Sequence, residues 1–231
     1  MMRKMWAMKQ TLHDVLFLHW PANPAEFQKW MPEELELDLY DNKAWLGIVL
    51  FEARKTRPRF LPPIPGTANF LEVNVRTYVK YKKKSGVYFF SLDTNSKFAL
   101  EIASSAGFLP YRRAQMAADH NKGTIMFHSR TVDKGLPVER IAVRYKVKAE
   151  EAASTNLEKW LTERYCLWTK PGKRLFRVDI EHEPWNLKYV TGEIQEIKMA
   201  KYLGKDFESE PPLAHYAEKM GVRLSLPAVE R

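Results

Sequence analysis

Apolar and polar residues alternate along much of this chain, and this period of two limits the fold more than any other feature. In the segment 71–81, aliphatic residues at positions 71, 73, 75 and 79 are separated by polar ones at 72, 74 and 76. Successive side chains of a β-strand point to opposite faces, so this period is typical of strands and not of helices. With the turn-forming residues between them, such segments predict about ten strands: Leu35–Tyr40, Ala44–Phe51, Leu71–Tyr81, Val87–Leu92, Tyr111–Ala118, Thr124–Arg130, Ile141–Lys148, Cys166–Thr169 with Leu175–Ile180, Leu187–Met199 and Val222–Leu226.

Helical signals are confined to three short segments. Asn23-Pro24 is typical of an N-cap and first turn, and it predicts a helix over Ala25–Trp30. A second helix is expected over Lys97–Ala106, with Gly107 in the place of a C-cap glycine. Ser154 or Thr155 opens a third, which runs to about residue 164. Many strands and few helices predict a mainly β (α+β) fold, a barrel or sandwich with helices packed on it, as a single domain over residues 1–231.

The composition excludes several classes of protein. With 45% hydrophobic and 13% aromatic residues, the 231-residue chain is not a disordered one. The only cysteine, Cys166, cannot form an internal disulfide, which fits a reducing compartment. The most apolar segment near the start, Val15–Leu18, is too short for a signal sequence or a membrane span. We therefore expect a cytoplasmic protein with no membrane association.

The net charge of +9 raises the question of nucleic-acid binding. Basic residues cluster at 54–59, 80–84 and 112–113, but 28 acidic residues are interspersed among them. No RNA-binding or helix-turn-helix pattern accompanies the charge, so a solvated basic surface is the favoured interpretation and nucleic-acid binding is not expected. The sequence also lacks phosphate loops, dinucleotide glycine patterns, nucleophile elbows and paired metal ligands, so no cofactor and no metal are predicted.

The unusual feature is the polar face of the segment 71–81. Glu72, Asn74 and Arg76 share one face of the strand, about 6.5–7 Å apart at each step of two residues. Solvent-facing strands usually carry Lys, Thr and Ser, whereas an acid, an amide and a guanidinium in series are also typical of a cavity wall. Both interpretations stay open on the sequence alone: the wet side of an antiparallel sheet, or the lining of a pocket.

Five blocks of the sequence carry a resemblance to a known family: His19–Pro21, Lys43–Gly47, Glu72–Val79, Gly86–Asp93 and Leu109–Tyr111. They resemble the YqjF-like family of uncharacterised bacterial proteins, and the likeness spans nearly the whole chain. A more distant resemblance is to acetoacetate decarboxylase, in the order of Glu72, Gly86–Tyr88, Leu92-Asp93, Gly107 and Pro110. It implies an antiparallel β-barrel of the acetoacetate decarboxylase type, with Glu72 at the position of a glutamate that lines the pocket of that enzyme.

One departure from acetoacetate decarboxylase bears on the chemistry. In that enzyme a lysine directly after the proline forms a Schiff base with the substrate. Here Pro110 is followed by Tyr111 and Arg112, and an arginine has no nucleophilic amine at neutral pH. The resemblance therefore implies a barrel with a pocket but without Schiff-base chemistry.

The leading hypothesis is that the barrel binds a small organic acid or carbonyl compound, with or without turnover. Its candidate site residues are Glu72, Asn74, Arg76, Tyr111 and Arg112. Arg112 could hold a carboxylate, Tyr111 could donate a hydrogen bond, and Glu72 in an apolar cavity could act as a general base. Two alternatives stay open: these residues form only a structural ion-pair network, or the protein is a non-catalytic module that contacts nucleic acid or an acidic partner through its basic surface. A homodimer through an exposed strand edge is compatible with either hypothesis.

Overall fold

A computed structural model describes residues 5–63, 68–106, 108–133, 135–207 and 209–230 of the chain. Its strands are β1 (Trp6–Ala22), β2 (Glu36–Leu37), β3 (Ala44–Pro58), β4 (Phe70–Tyr81), β5 (Lys84–Thr94), β6 (Tyr111–Asn121), β7 (Thr124–Thr131), β8 (Arg140–Glu151), β9 (Cys166–Thr169), β10 (Phe176–Glu181), β11 (Lys188–Lys198), β12 (Leu213–Ser225) and β13 (Ala228–Val229). The helices are α1 (Pro24–Gln28), α2 (Lys97–Ala106) and α3 (Asn156–Thr162), and a 3₁₀ turn spans Lys201–Leu203. The predicted mainly β fold with a few short helices is confirmed. None of the described helices is long and apolar enough to cross a lipid bilayer.

The strand pairings close two rings that share a wall. The shared wall consists of β12, β1, β3, β4 and β5 in this order. On one side of it, β6, β7, β8 and β11 connect β5 back to β12 and complete the larger ring. On the other side, β9 and β10 connect the same two edge strands and complete the smaller ring.

The resemblance had implied an antiparallel barrel, but two of the strand pairings in the rings are parallel. β5 pairs in parallel with β6 and with β9, and the other pairings in the rings are antiparallel. A parallel neighbour needs a crossover connection, and α2 provides it between β5 and β6. The two parallel partners contact different parts of β5, since β9 meets Val87 and Tyr88 while β6 meets residues 92–94.

Both faces of the shared wall are buried because a ring closes on each side of it. On β4, Val73 and Val75 contact Leu16 and Ile48 of the wall and the side chains of β7 and β8, in the core of the larger ring. The intervening positions face the smaller ring, whose core contains Phe17, residues of β3 and side chains from the β10 and β12 regions. The alternation seen in the sequence thus separates two interiors and not an interior from solvent.

Some element boundaries differ from those predicted. The structure retains only Glu36–Leu37 of the predicted strand 35–40, and β12 begins at Leu213, nine residues before the predicted start at Val222. The charged residues at 218 and 219 and the glycine at 221 had hidden the alternation in β12. The third helix is capped by Thr155, whose side chain and that of Glu158 form a capping box. Gly107, the expected end of α2, lies outside the described residues.

Gly86 allows β5 and β9 to pack closely. A Cβ atom at this position would lie 2.6 Å from the Cys166 oxygen and sulfur and 2.8 Å from Trp168 Nε1. We expect Gly86→Ala to lower the free energy of unfolding by about 1–3 kcal/mol, because overpacking shifts the backbone or forces strained rotamers. The control is Gly221→Ala, where an added Cβ meets no atom within 4 Å. Urea unfolding of both variants checks this, and equal stability of the two would contradict the close packing.

Candidate functional site

The polar face of β4 lines a cavity inside the smaller ring. Glu72, Asn74, Arg76 and Tyr111 all contribute to the wall of this cavity, which has a volume of about 140 Å³. Glu72 is only 5% exposed and Asn74 4%. The structure therefore brings together four of the five residues named from the sequence, and it places them at a cavity and not at the solvent-facing side of a sheet. We call this space the polar cavity.

The register of the sheet explains why Tyr111 meets the polar face of β4. Asn74 lies opposite Val49 on β3 and Leu92 on β5. Leu92 in turn pairs with Tyr111, the first residue of β6. These side chains form one row across the sheet, directed into the smaller ring, so a residue far away in the sequence reaches the same space.

Glu72 and Tyr111 form a buried hydrogen-bonded pair. The Tyr111 hydroxyl donates to Glu72 Oε2 at 3.0 Å. Burial raises the pKa of Glu72 to about 7, against the opposing effects of Tyr111 and Asn74. Burial and the neighbouring Glu72 carboxylate raise the pKa of Tyr111 well above its usual range. Glu72 can therefore exchange a proton near neutral pH, whereas Tyr111 stays a hydrogen-bond donor.

Arg76 is a cation without a carboxylate partner in the described part of the chain. Its Nε and Nη2 atoms are buried and donate to no acceptor among the described residues. The guanidinium carbon lies 5.7 Å from the ring centre of Phe17 and 5.8 Å from that of Tyr78. Aromatic faces attract a cation but do not neutralise it, so a positive charge remains at this end of the polar cavity.

Two of the side chains beside Arg76, His19 and Tyr78, add no negative charge. His19 is fully buried, and burial together with the nearby Arg76 lowers its pKa well below the usual value, so the ring is neutral. Burial raises the pKa of Tyr78, which keeps its hydroxyl protonated. Gly47 lies beside His19 and Tyr78, and a Cβ atom at Gly47 would lie 3.2 Å from Arg76 Cγ. Because glycine has no Cβ atom, position 47 leaves room for the Arg76 side chain.

Arg164 is a second arginine at the polar cavity, and sequence reasoning did not find it. It lies just after α3, and only the tertiary fold brings it near β4. Its charge is compensated, since Nη1 donates to Asp38 Oδ2 at 2.6 Å and the guanidinium carbon lies 4.3 Å from the Trp160 ring centre. Arg164 has a carboxylate partner and Arg76 does not, among the described residues. No pattern in the sequence around Arg164 indicated that it would reach the cavity.

Arg112 does not line the polar cavity, and this corrects its assignment from the sequence. Neighbouring residues of a strand point to opposite faces, so Arg112 faces the larger ring when Tyr111 faces the smaller one. Its Nε donates to Asp93 at 2.6 Å and its Nη2 to Glu139 at 2.7 Å. Glu139 also accepts the backbone N–H of Ala200 at 2.9 Å. Arg112 is thus the centre of a structural ion-pair network.

A second cavity of about 110 Å³ adjoins the first. The two share the wall residues Met8, Gln10, Leu109 and Tyr111. The rest of the second wall consists of Thr56, Phe70, Phe98, Ala99 and Phe108. Because most of this lining is apolar, we call the second space the apolar chamber.

The described lining of the polar cavity contains neither a lysine nor a cysteine. Among the described residues, no group of three or more His, Cys, Asp or Glu side chains could hold a metal ion. The acidic, basic and phenolic groups in the described lining are the Glu72 carboxyl group, the Tyr111 phenol, the His182 imidazole and the guanidinium groups of Arg76 and Arg164.

Comparison with protein families now places the chain. Residues 9–221 match the DUF2071 family model, described as an uncharacterized conserved protein. The chain belongs to this family. Uncharacterized protein YqjF of Bacillus subtilis (strain 168) is 38% identical to it over 217 residues, which cover 94% of the chain and 90% of that protein. The YqjF-like resemblance found in the sequence is confirmed.

Solved structures show the fold of this family member. Acetoacetate decarboxylase from Legionella pneumophila subsp. pneumophila str. Philadelphia 1 superposes with a TM-score of 0.64 at 13% identity, covering 100% of this chain and 90% of that one. The enduracididine biosynthesis enzyme MppR in complex with pyruvate gives a TM-score of 0.62 at 12% identity, with 99% and 91% covered. The acetoacetate-decarboxylase-like fold is confirmed, and at these identities the likeness shows the fold alone.

Proposed function

We propose that this protein binds a small organic acid or carbonyl compound in the polar cavity, with Arg76 as the partner of its carboxylate. The observation that carries the proposal is the uncompensated charge of Arg76. Arg76 is half-buried, and its Nε and Nη2 atoms are buried without an acceptor among the described residues. A bound carboxylate would supply the missing acceptor with two parallel hydrogen bonds. Arg164, whose charge Asp38 already compensates, does not create the same need.

Glu72 would handle protons in any turnover of the ligand. Its pKa of about 7 suits a general base or acid at neutral pH. The hydrogen bond from Tyr111 keeps one carboxylate oxygen in place. A proton next to the carbonyl group of a bound keto acid is the kind of proton that such a base removes.

The comparisons support a ligand of this class in this fold. MppR, which shares the fold, is described in complex with pyruvate, a small keto acid. Schiff-base chemistry is not part of the proposal, because the position after Pro110 is a tyrosine and the described cavity lining has no lysine.

The basic-surface alternative has a weaker basis. Arg54 lies 2.6 Å from Glu52, and Lys84 lies 2.6 Å from Asp179. Arg54 and Lys84 thus already have acidic neighbours, whereas Arg76 has no carboxylate partner among the described residues. We therefore do not propose the alternative.

Pyruvate and other small carboxylates are the probes that test the proposal. A carboxylate that binds should stabilise the wild type by about 2.7 kcal/mol at a hundred times its Kd. Arg76→Met should weaken this binding by roughly tenfold to a hundredfold, the effect of losing a charge-assisted hydrogen bond. The ligand-free variant should be at least as stable as the wild type, because two buried nitrogens without an acceptor are removed.

Isothermal titration calorimetry and thermal unfolding of both proteins provide the measurements. Arg144→Met is the matched control, since Arg144 is exposed on β8 of the larger ring. If no small carboxylate binds the wild type, the proposed function is wrong. If Arg76→Met binds as tightly as the control, Arg76 is not the carboxylate partner.

A further inference from the structure

The polar cavity and the apolar chamber lie side by side along β4, because they share wall residues. Phe70 lines the apolar chamber, Glu72 and Asn74 line the polar cavity, and Arg76 lies at its other end. The strand rises about 3.3 Å per residue, so Phe70 and Arg76 are roughly 20 Å apart. β1 also extends along both spaces. Its residues Met8 and Gln10 line both of them, and Phe17 lies beside Arg76.

The two ends of this space differ in chemistry. At one end Arg76 has an uncompensated positive charge. At the other, the side chains of Phe70, Phe98 and Ala99 provide an apolar lining. The polar groups in that chamber already bond to each other, since the Thr56 hydroxyl donates to Gln10 Oε1 at 3.4 Å. The apolar chamber therefore presents mainly hydrocarbon to a ligand.

Neither space alone has the size usual for a ligand pocket. Their volumes of about 140 and 110 Å³ are each below the roughly 300 Å³ at which such pockets begin. The combined volume comes closer to that size than either space alone, so a ligand that extends into both, along the ring of Tyr111, would use more of the site than one confined to either.

We infer that the ligand is an elongated amphipathic acid, with its carboxylate at Arg76 and an unbranched hydrocarbon or aromatic tail in the apolar chamber. This inference rests on the proposed function and adds the substrate class. It also orients the ligand: the atoms between head and tail lie beside Glu72 and Asn74, so the carbon atoms that Glu72 reaches are those near the carboxylate.

A series of linear acids tests the inference by calorimetry: propionate, butyrate, hexanoate and octanoate. Each added methylene group that enters the apolar chamber should tighten binding by roughly three- to fourfold. Ala99→Trp fills the chamber from α2 and should weaken octanoate binding by more than about tenfold, with propionate binding unchanged. Lys97→Trp is the control, because it adds the same side chain at an exposed position of the same helix.

Phe98→Ala is a second variant, which enlarges the chamber and should move the tightest-binding chain length upward. Unchanged propionate binding shows that each variant is folded. If short acids bind but longer ones gain nothing, the amphipathic ligand is wrong and the proposed function stands. If no acid binds at all, the proposed function itself fails. If octanoate binds tightly to Ala99→Trp, the tail lies elsewhere.

Discussion

Arg112→Met is expected to lower the free energy of unfolding by about 3–5 kcal/mol, because it leaves two buried carboxylates without their cation. The Asp93 side chain is 1% exposed, and Glu139 is also buried. Even with Arg112 in place, burial raises the pKa of Asp93 to about 6. Methionine fills a similar volume, so the loss reports the missing charge and its hydrogen bonds.

The neighbouring arginine provides the control for this variant. Arg113 follows on the same strand and is exposed, so Arg113→Met should change stability by less than about 0.5 kcal/mol. Urea unfolding at pH 7 measures both. The triple variant with Asp93→Asn and Glu139→Gln should recover much of the loss, since it leaves no unpaired charge. Arg112→Met unfolding like Arg113→Met would show that the network does not stabilise the larger ring.

Glu72→Gln is expected to remove about 3 kcal/mol of pH-dependent destabilisation. The folded-state pKa of Glu72 is raised from 4.5 to about 7, so the folded protein binds this proton more tightly than the unfolded chain. The stabilisation that this proton gives to the folded state is fully present below pH 4.5 and is lost as the pH rises through 7. The variant should therefore match the wild type at low pH and exceed its stability at pH 8.

The measurement is the free energy of unfolding of wild type and variant at several pH values between 4 and 8. The difference between the two curves isolates Glu72, because Asp93 and the other carboxyl groups titrate in both proteins. Glutamine keeps an oxygen that accepts the Tyr111 hydrogen bond, so the packing is preserved. Glu193→Gln, an exposed position on β11, should give a flat difference. A flat difference for Glu72→Gln as well would mean that Glu72 is ionised like a surface carboxyl group.

Much of the fold was predictable from local patterns. The period of two gave most strands, and the capping residues gave all three helices, because both signals depend on residues close together in the chain. The polar face of β4 was visible for the same reason, and the family resemblance supported the fold around it. The long strand β12 was missed where Glu218 and Lys219 interrupt the alternation.

The sequence by itself determined which residues share a strand face, while the tertiary structure decided what that face meets. Alternation put Glu72, Asn74 and Arg76 on one side of β4, but whether that side is wet or enclosed depends on β9 and β10, which close the smaller ring from distant parts of the chain. The pairing of β5 with β6 turned Tyr111 toward the cavity, and the tertiary fold also brought Arg164 to it. The spacing of residues within a strand decides which face each side chain lies on. A cavity is formed by contacts between strands far apart in the chain, and no single segment of the sequence specifies these contacts.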